Sequence, residues 1–137
     1  MDYLLDTNAC IALINGDPAT VRLHMQKAST AGAHILVSSI ALFELWYGVA
    51  KSKKQDFNRK RVEVFLSGPV LALPFEDDDS RVAGSVRAAL ESVGTPIGAY
   101  DLLMAGQALR HGLTLVTANV SEFSRVRGLN WQDWAKP

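Results

Sequence analysis

The chain has 137 residues, a length that suits one domain with one substantial core. Fourteen basic side chains balance 14 acidic ones, so net charge gives no support for a nucleic-acid partner and any basic surface must be local. The single cysteine, Cys10, excludes an internal disulfide and a cysteine-based zinc site, and no apolar run reaches the roughly 20 residues that span a bilayer. We therefore expect one domain over residues 1–137, located in the cytoplasm and without a membrane partner.

Short apolar runs alternate with helical segments along the chain. The apolar runs predict strands at residues 3–5, 34–37, 70–73 and 113–116, with a fifth at 129–131. Capping residues, stop signals and apolar spacing predict helices from Asp17–Pro18 to about Gly32, after Ser38 or Ser39, up to Gly68, from Glu76 to Val93, and around Asp101 to Gly112. The polar residues 6–8 after the first strand are typical of a loop.

This alternation predicts an α/β fold, a three-layer domain with a central, mostly parallel sheet of four to five strands flanked by helices. The strands are apolar throughout, as expected when helices cover both sheet faces. Ligands of such sheets gather at the carboxyl ends of the strands. We therefore look for a functional site among the polar residues that follow the strands.

Three carboxylates each stand alone in an apolar stretch. Asp6 closes the first strand, Glu44 is the only charge in residues 40–47, and Asp101 is the only charge in residues 97–105. An unpaired ionised acid in a core is strongly disfavoured, so each acid either finds its own cation or all share one. A shared Mg²⁺ or Mn²⁺ ion would satisfy all of them and would support phosphodiester hydrolysis.

Several alternatives stay open at this point. Each acid could instead cap a helix or pair with an arginine. Thr117 and Asn119 follow the fourth strand and could complete the site by hydrogen bonding or through metal-bound water. The acids at 76–79 favour a helix N-terminus over a metal site. A basic stretch either follows a phosphate backbone or is a solvated helix face. It consists of Lys51, Lys53, Lys54, Arg59, Lys60 and Arg61.

Four sequence blocks resemble the PIN-domain toxins of the VapC family. They are residues 4–8 (LLDTN), 39–45 (SIALFEL), 94–101 (GTPIGAYD) and 115–123 (LVTANVSEF), and the ending at 128–134 (GLNWQDW) also fits. The match spans essentially the whole chain, in order and with normal spacing. It implies a PIN-like fold and a Mg²⁺- or Mn²⁺-dependent endoribonuclease that cleaves structured RNA such as tRNA or rRNA. It also implies a VapB-type antitoxin partner, a homodimer, toxin–antitoxin hetero-oligomers, and contact with DNA only through the antitoxin.

The resemblance also assigns residues. Asp6, Glu44 and Asp101 match the acids that hold metal, and Thr7 matches a residue whose hydroxyl braces the site. Many PIN domains carry an aspartate at or near position 119, where this chain has an amide. Either Asn119, through water, or the nearby Glu122 would complete the site.

Two other functions compete with hydrolysis. A non-catalytic PIN-like module that binds RNA or protein is the alternative suggested by Asn119. A phosphoacceptor or phosphatase domain with Asp6 as nucleophile would need a lysine near a later strand end, and none occurs between Lys60 and Lys136.

Overall fold

The computed structural model describes residues 1–137 as five strands and seven helices. The strands are β1 (Tyr3–Leu5), β2 (Ile35–Ser38), β3 (Leu71–Leu73), β4 (Thr114–Val116) and β5 (Trp131–Gln132). The helices are α1 (Thr7–Asn15), α2 (Ala19–Thr30), α3 (Ser39–Lys51), α4 (Gln55–Leu66), α5 (Asp77–Ser92), α6 (Ala99–His111) and α7 (Val120–Phe123). No helix combines the length and the hydropathy that crossing a membrane requires.

All five strands form one parallel sheet in the order β3-β2-β1-β4-β5. The first strand therefore lies at the centre, where Leu5 is in register with Val37 of β2 and Val116 of β4. This arrangement confirms the predicted α/β fold. It also brings the carboxyl ends of β1, β2 and β4 side by side at one edge of the sheet.

Alternating side chains of the strands build two apolar cores, one on each sheet face. Leu5 packs with α1, α2, α3 and α4 on one face, together with Val37 and Val116. Leu4 packs with α5, α6 and the α7 region on the other face, together with Leu115. Burial on both faces explains why the central strands are apolar throughout. The edge strand β3 differs, because its Leu71 is 53% exposed.

The loop predicted after β1 is instead a helix. The Asp6 carboxylate accepts a hydrogen bond from the backbone N–H of Ala9 at 2.8 Å and so caps α1, which begins at the next residue. The sequence Asp-Thr-Asn is common in turns, but it is equally suited to a helix start. As a result, the polar cluster that follows β1 is held rigidly at the edge of the sheet.

Candidate active site

Acidic side chains meet where the central strands end and helices begin. Asp6 follows β1 directly, Glu44 lies in the second turn of α3 after β2, and Asp101 lies in the first turn of α6. Burial and Glu122 are the main causes that raise the pKa of Asp101, and the negative charges of Asp6 and Glu44 raise it further. The structure therefore brings together the three lone acids of the sequence, and it also fixes Asp101 at this edge. Helix N-termini carry partial positive charge, which moderates the repulsion.

Asp6 is the most buried member, with 4% of its surface exposed. Burial raises the pKa of its carboxyl group, while hydrogen bonds from the Thr117 hydroxyl and the Ala9 amide oppose that increase. The charges of Glu44 and Asp133 raise the pKa further. No lysine, arginine or histidine nitrogen lies within 4.0 Å of the Asp6 carboxylate, so its charge has no ion-pair partner in the protein.

Glu44 is oriented by a neighbour from another helix. The Thr7 hydroxyl, at the first position of α1, donates a hydrogen bond of 2.6 Å to Oε1 of Glu44. Hydrogen bonds from a hydroxyl to a carboxylate are shorter and stronger than those between two neutral groups. It fixes one carboxylate oxygen of Glu44 and leaves Oε2 available for another ligand.

Asp101 shares the other half of the site with Asn119 and Glu122. The Asn119 amide nitrogen lies 2.7 Å from Oε2 of Glu122 and 3.4 Å from Oδ2 of Asp101. Burial and the adjacent Glu122 raise the pKa of Asp101 to about 7. The pKa of Glu122 is lowered by hydrogen bonds from Asp101, from Asn119 and from the Gly98 amide. The pKa shifts of the two carboxyl groups are therefore opposite in direction, as expected for acids that repel each other at close range.

The carboxyl end of β4 adds Thr117 and the turn that follows it to the candidate site. Thr117 is 1% exposed, and its hydroxyl accepts a hydrogen bond of 2.9 Å from the Asn119 backbone N–H. That bond shapes the turn that presents Asn119 and starts α7. One acid near the site was missed from sequence: Asp133, whose charge acts on Asp6. Asp133 lies in a polar ending among two tryptophans, a setting without any apolar run to mark it as unusual.

Comparison with known proteins identifies the family. The family model of the PIN domain matches residues 3–129. Ribonuclease VapC2 of Rickettsia felis is 38% identical over 136 residues, which cover 99% of this chain and all of that protein. The chain belongs to the VapC family of PIN domains. A second VapC relative, the tRNA(fMet)-specific endonuclease VapC of Salmonella typhimurium, is 38% identical over 137 residues and 98% of each chain.

Solved VapC structures have the same fold. VapBC2 from Rickettsia felis, crystallised with a DNA fragment from its promoter, matches with a TM-score of 0.92 at 37% identity over 98% of this chain and 99% of that one. DNA-bound VapBC from Salmonella typhimurium matches with a TM-score of 0.89 at 36% identity over 98% of each chain. The resemblance to the VapC family and the PIN-like fold predicted from sequence are therefore confirmed.

A second acidic cluster lies at the other end of α6, about 14 Å along the helix from Asp101. Oxygen and nitrogen atoms of Glu76, Asp79 and His111 lie within 4.8 Å of one another. Arg110 already neutralises this cluster, because its guanidinium bonds to Asp79 at 2.6 Å and to Glu76 at 2.9 Å. Asp79 also accepts from the Glu76 backbone N–H as part of the α5 capping box. The cluster thus joins α5 to α6 and caps α5, as predicted for a helix N-terminus.

Proposed function

We propose that this chain is a Mg²⁺- or Mn²⁺-dependent endoribonuclease that hydrolyses phosphodiester bonds in structured RNA, with tRNA or rRNA as the substrate class. The names of its relatives, ribonuclease and tRNA(fMet)-specific endonuclease, support hydrolysis of RNA. The observation that carries the proposal is the group formed by Asp6, Glu44, Asp101 and Glu122, none of which has a cation partner within 4.0 Å.

The chemistry of these donors fits a hard divalent cation. All are carboxylate oxygens, the ligands that Mg²⁺ and Mn²⁺ prefer. The raised pKa values of Asp6 and Asp101 reflect burial and mutual repulsion, both of which a bound cation would relieve. When bound, such an ion would polarise a phosphoryl oxygen and lower the pKa of an attacking water.

The residues have distinct roles in this proposal. Asp6 and Asp101 would hold the ion directly, and Glu44, braced by Thr7, would bind it or orient the attacking water. Glu122 would supply the remaining carboxylate in place of the missing aspartate at 119. Asn119 and Thr117 would keep Glu122, Asp101 and Asp6 in place through their hydrogen bonds.

Asp6→Asn is the sharpest test of this function. The substitution removes the charge but retains an oxygen that can cap α1, so we expect cleavage of RNA to fall by at least about a hundredfold with the fold intact. The measurement is the rate of RNA cleavage in Mg²⁺ or Mn²⁺, beside the melting temperature of each protein. Asp78→Asn is a matched control, since Asp78 is an exposed aspartate of the α5 N-terminus.

Full activity of Asp6→Asn, or of the parent protein in excess EDTA, would contradict the proposal. The Asn119 amide favours one other function, a PIN-like module that binds RNA or protein without cleaving it. Titration of Mn²⁺ separates the two. If no Mn²⁺ binds while Asp6, Glu44 and Asp101 are intact, the non-catalytic module becomes the better description.

We also infer that the protein acts as the toxin of a type II toxin–antitoxin pair and inhibits translation by cleaving its RNA target. The related structures named VapBC support a VapB-type antitoxin as partner, and two of them are complexes bound to DNA. In this proposal the antitoxin alone contacts the DNA. A homodimer and toxin–antitoxin hetero-oligomers complete this proposal.

A further inference from the structure

Exposed aromatic side chains concentrate around the candidate site. Six large aromatic side chains of the chain are exposed, and four of them lie on α3 or in the first turn of α6. These four are Phe43, Trp46, Tyr47 and Tyr100. Single exposed aromatics are ordinary, whereas a cluster indicates a surface that binds another molecule. The proposed chemistry uses none of the four.

Two of these rings adjoin the proposed metal ligands. Phe43 immediately precedes Glu44, and Tyr100 immediately precedes Asp101. Their ring centroids are 5.7 Å apart with an interplanar angle of 66°, so the pair links α3 to α6. Phe43 is 54% exposed and Tyr100 is 46% exposed, which leaves ring surface open to a ligand beside the acids.

The aromatic surface continues along α3 toward positive charge. Phe43, Tyr47 and Lys51 are spaced four residues apart and therefore lie on one face of the helix. The Lys51 ammonium lies 4.9 Å from the centre of the Tyr47 ring. Lys53 and Lys54 follow in the turn before α4, and none of the three lysines has a carboxylate within 4.0 Å.

We propose that this surface binds an unpaired RNA strand next to the scissile phosphodiester. We call it the α3 track and define it as Phe43, Tyr47, Lys51, Lys53, Lys54 and Tyr100. Bases stack on the three rings, and the backbone phosphates meet the lysines about 12 Å from Phe43 along the helix axis. The inference rests on the proposed ribonuclease function, for which it names the substrate-binding surface.

The charges of the site explain why stacking is needed there. Where no cation is bound, the carboxylates of Asp6, Glu44, Asp101 and Glu122 repel phosphates, so stacked bases supply affinity that these charges do not. Stacking on aromatic rings tolerates any sequence, because every base has a π face. Unstacked bases are also what RNA-binding proteins reach most readily in folded RNA. Along α3 the carboxylate of Glu44 is followed by aromatic rings and then by Lys51. Rings suit bases and lysines suit phosphates, so this order fits a strand of RNA better than the surface of a second protein.

Binding of a short, unstructured, fluorescein-labelled RNA tests the α3 track. The assay uses Asp6→Asn as the background, which blocks cleavage, and measures Kd by fluorescence anisotropy. We expect Phe43→Ala and Tyr100→Ala each to weaken binding by about tenfold, within the range found for loss of one stacked base. Phe43→Tyr and Tyr100→Phe keep the rings and should bind as the background does. Phe57→Ala is the matched control, because Phe57 is a 60% exposed ring on α4 outside the track.

The readout separates this inference from the proposed function. Kd is measured without cleavage, so a parent protein that cleaves no RNA but binds it through the track would contradict only the proposed function. In an active parent, Tyr100→Ala should raise KM while kcat is largely kept. Unchanged Kd in both alanine variants would overturn the inference. So would a loss of affinity that accompanies dissociation of a dimer in sedimentation velocity, since the aromatic cluster would then be a protein–protein interface.

Discussion

A single amide, Asn119, determines how charge is arranged in half of the site. Its side-chain nitrogen faces carboxylate oxygens of both Glu122 and Asp101. An aspartate at this position would instead face two negative groups. Glu122 lies three residues later, and the amide that bonds to its carboxylate also faces Asp101.

The raised pKa of Asp101 predicts how metal affinity depends on pH. The pKa of Asp101 is about 7, far above its ordinary value, so below pH 7 a divalent ion must displace a proton to bind. We expect the affinity for Mn²⁺ to fall by about tenfold per pH unit below about pH 7 and to level off above it. Isothermal titration calorimetry with Mn²⁺ at several pH values measures this.

Glu122→Gln is the informative variant for this prediction. It removes the negative charge that helps to raise the pKa of Asp101, so the fall in Mn²⁺ affinity should begin at a lower pH. Exposed Glu91, which pairs with Arg87 on α5, provides the control Glu91→Gln, which should behave as the parent. An Mn²⁺ affinity that is constant between about pH 5 and pH 7 would contradict the raised pKa of Asp101.

The members of the candidate site that are energetically out of place can be recognised in the sequence. Asp6, Glu44 and Asp101 were recognisable because a lone charge in an apolar run needs compensation. The choice between Asn119 and Glu122 could not be made, because it depends on how α7 turns Glu122 back toward Asp101. Asp133 was not recognisable, since its effect on Asp6 arises only when the end of the chain folds beside β1.

At the scale of elements, the contact between α5 and α6 depends on a glycine. A Cβ atom at Gly106 would lie 2.8 Å from the backbone N and Cα of Ala83, closer than real Cβ contacts come. We expect Gly106→Ala to lower the free energy of unfolding by about 1–3 kcal/mol, because the helices would have to move apart. Urea unfolding monitored by circular dichroism measures the change.

Gly84 provides the matched control on α5. It is also an interior helical glycine, but a Cβ atom there would meet no atom within 4 Å. Gly84→Ala should therefore raise the free energy of unfolding by about 0.5–1 kcal/mol, through helix propensity alone. Equal effects of the two substitutions would show that close packing does not govern the α5–α6 contact.

Most elements were predictable because their signals are local. Ser38 caps α3, the acids at 76–79 begin α5, and Gly112 ends α6 in the left-handed conformation, each in agreement with expectation. The two helices that were missed, α1 and α7, begin directly at polar clusters after strands. In both places a helix begins within four residues of the end of a strand, and sequence patterns favour a loop there. These same junctions form the candidate site.

At the scale of the whole molecule, neutrality limits how RNA can be bound. The chain has equal numbers of acidic and basic side chains, so positive charge is available only locally. Arg59 is paired with Asp56 and Glu63, and Arg61 bonds to the end of α1. Of the four lysines in this stretch, which have no carboxylate within 4.0 Å, those at 51, 53 and 54 belong to the α3 track and Lys60 lies on α4.

This distribution predicts a shallow dependence of RNA binding on salt. Each phosphate neutralised on single-stranded nucleic acid contributes about 0.7 to the slope of log Kd against log salt, so three lysines give a slope of about 2. Replacing Lys51, Lys53 and Lys54 by Gln should reduce that slope nearly to zero. Anisotropy titrations of labelled RNA over a range of NaCl concentrations measure the slope. Replacing Lys27 and Lys136 by Gln is the control and should leave it unchanged.

The central position of β1 has a consequence for synthesis of the protein. The first strand to leave the ribosome is flanked by β2 and by β4, so its neighbour on one side is made only after residue 113. Asp6 is therefore synthesised long before Asp101, Asn119 and Glu122, the other residues of the candidate site on this side of β1. The proposed active site would therefore be complete only after Glu122 has been translated.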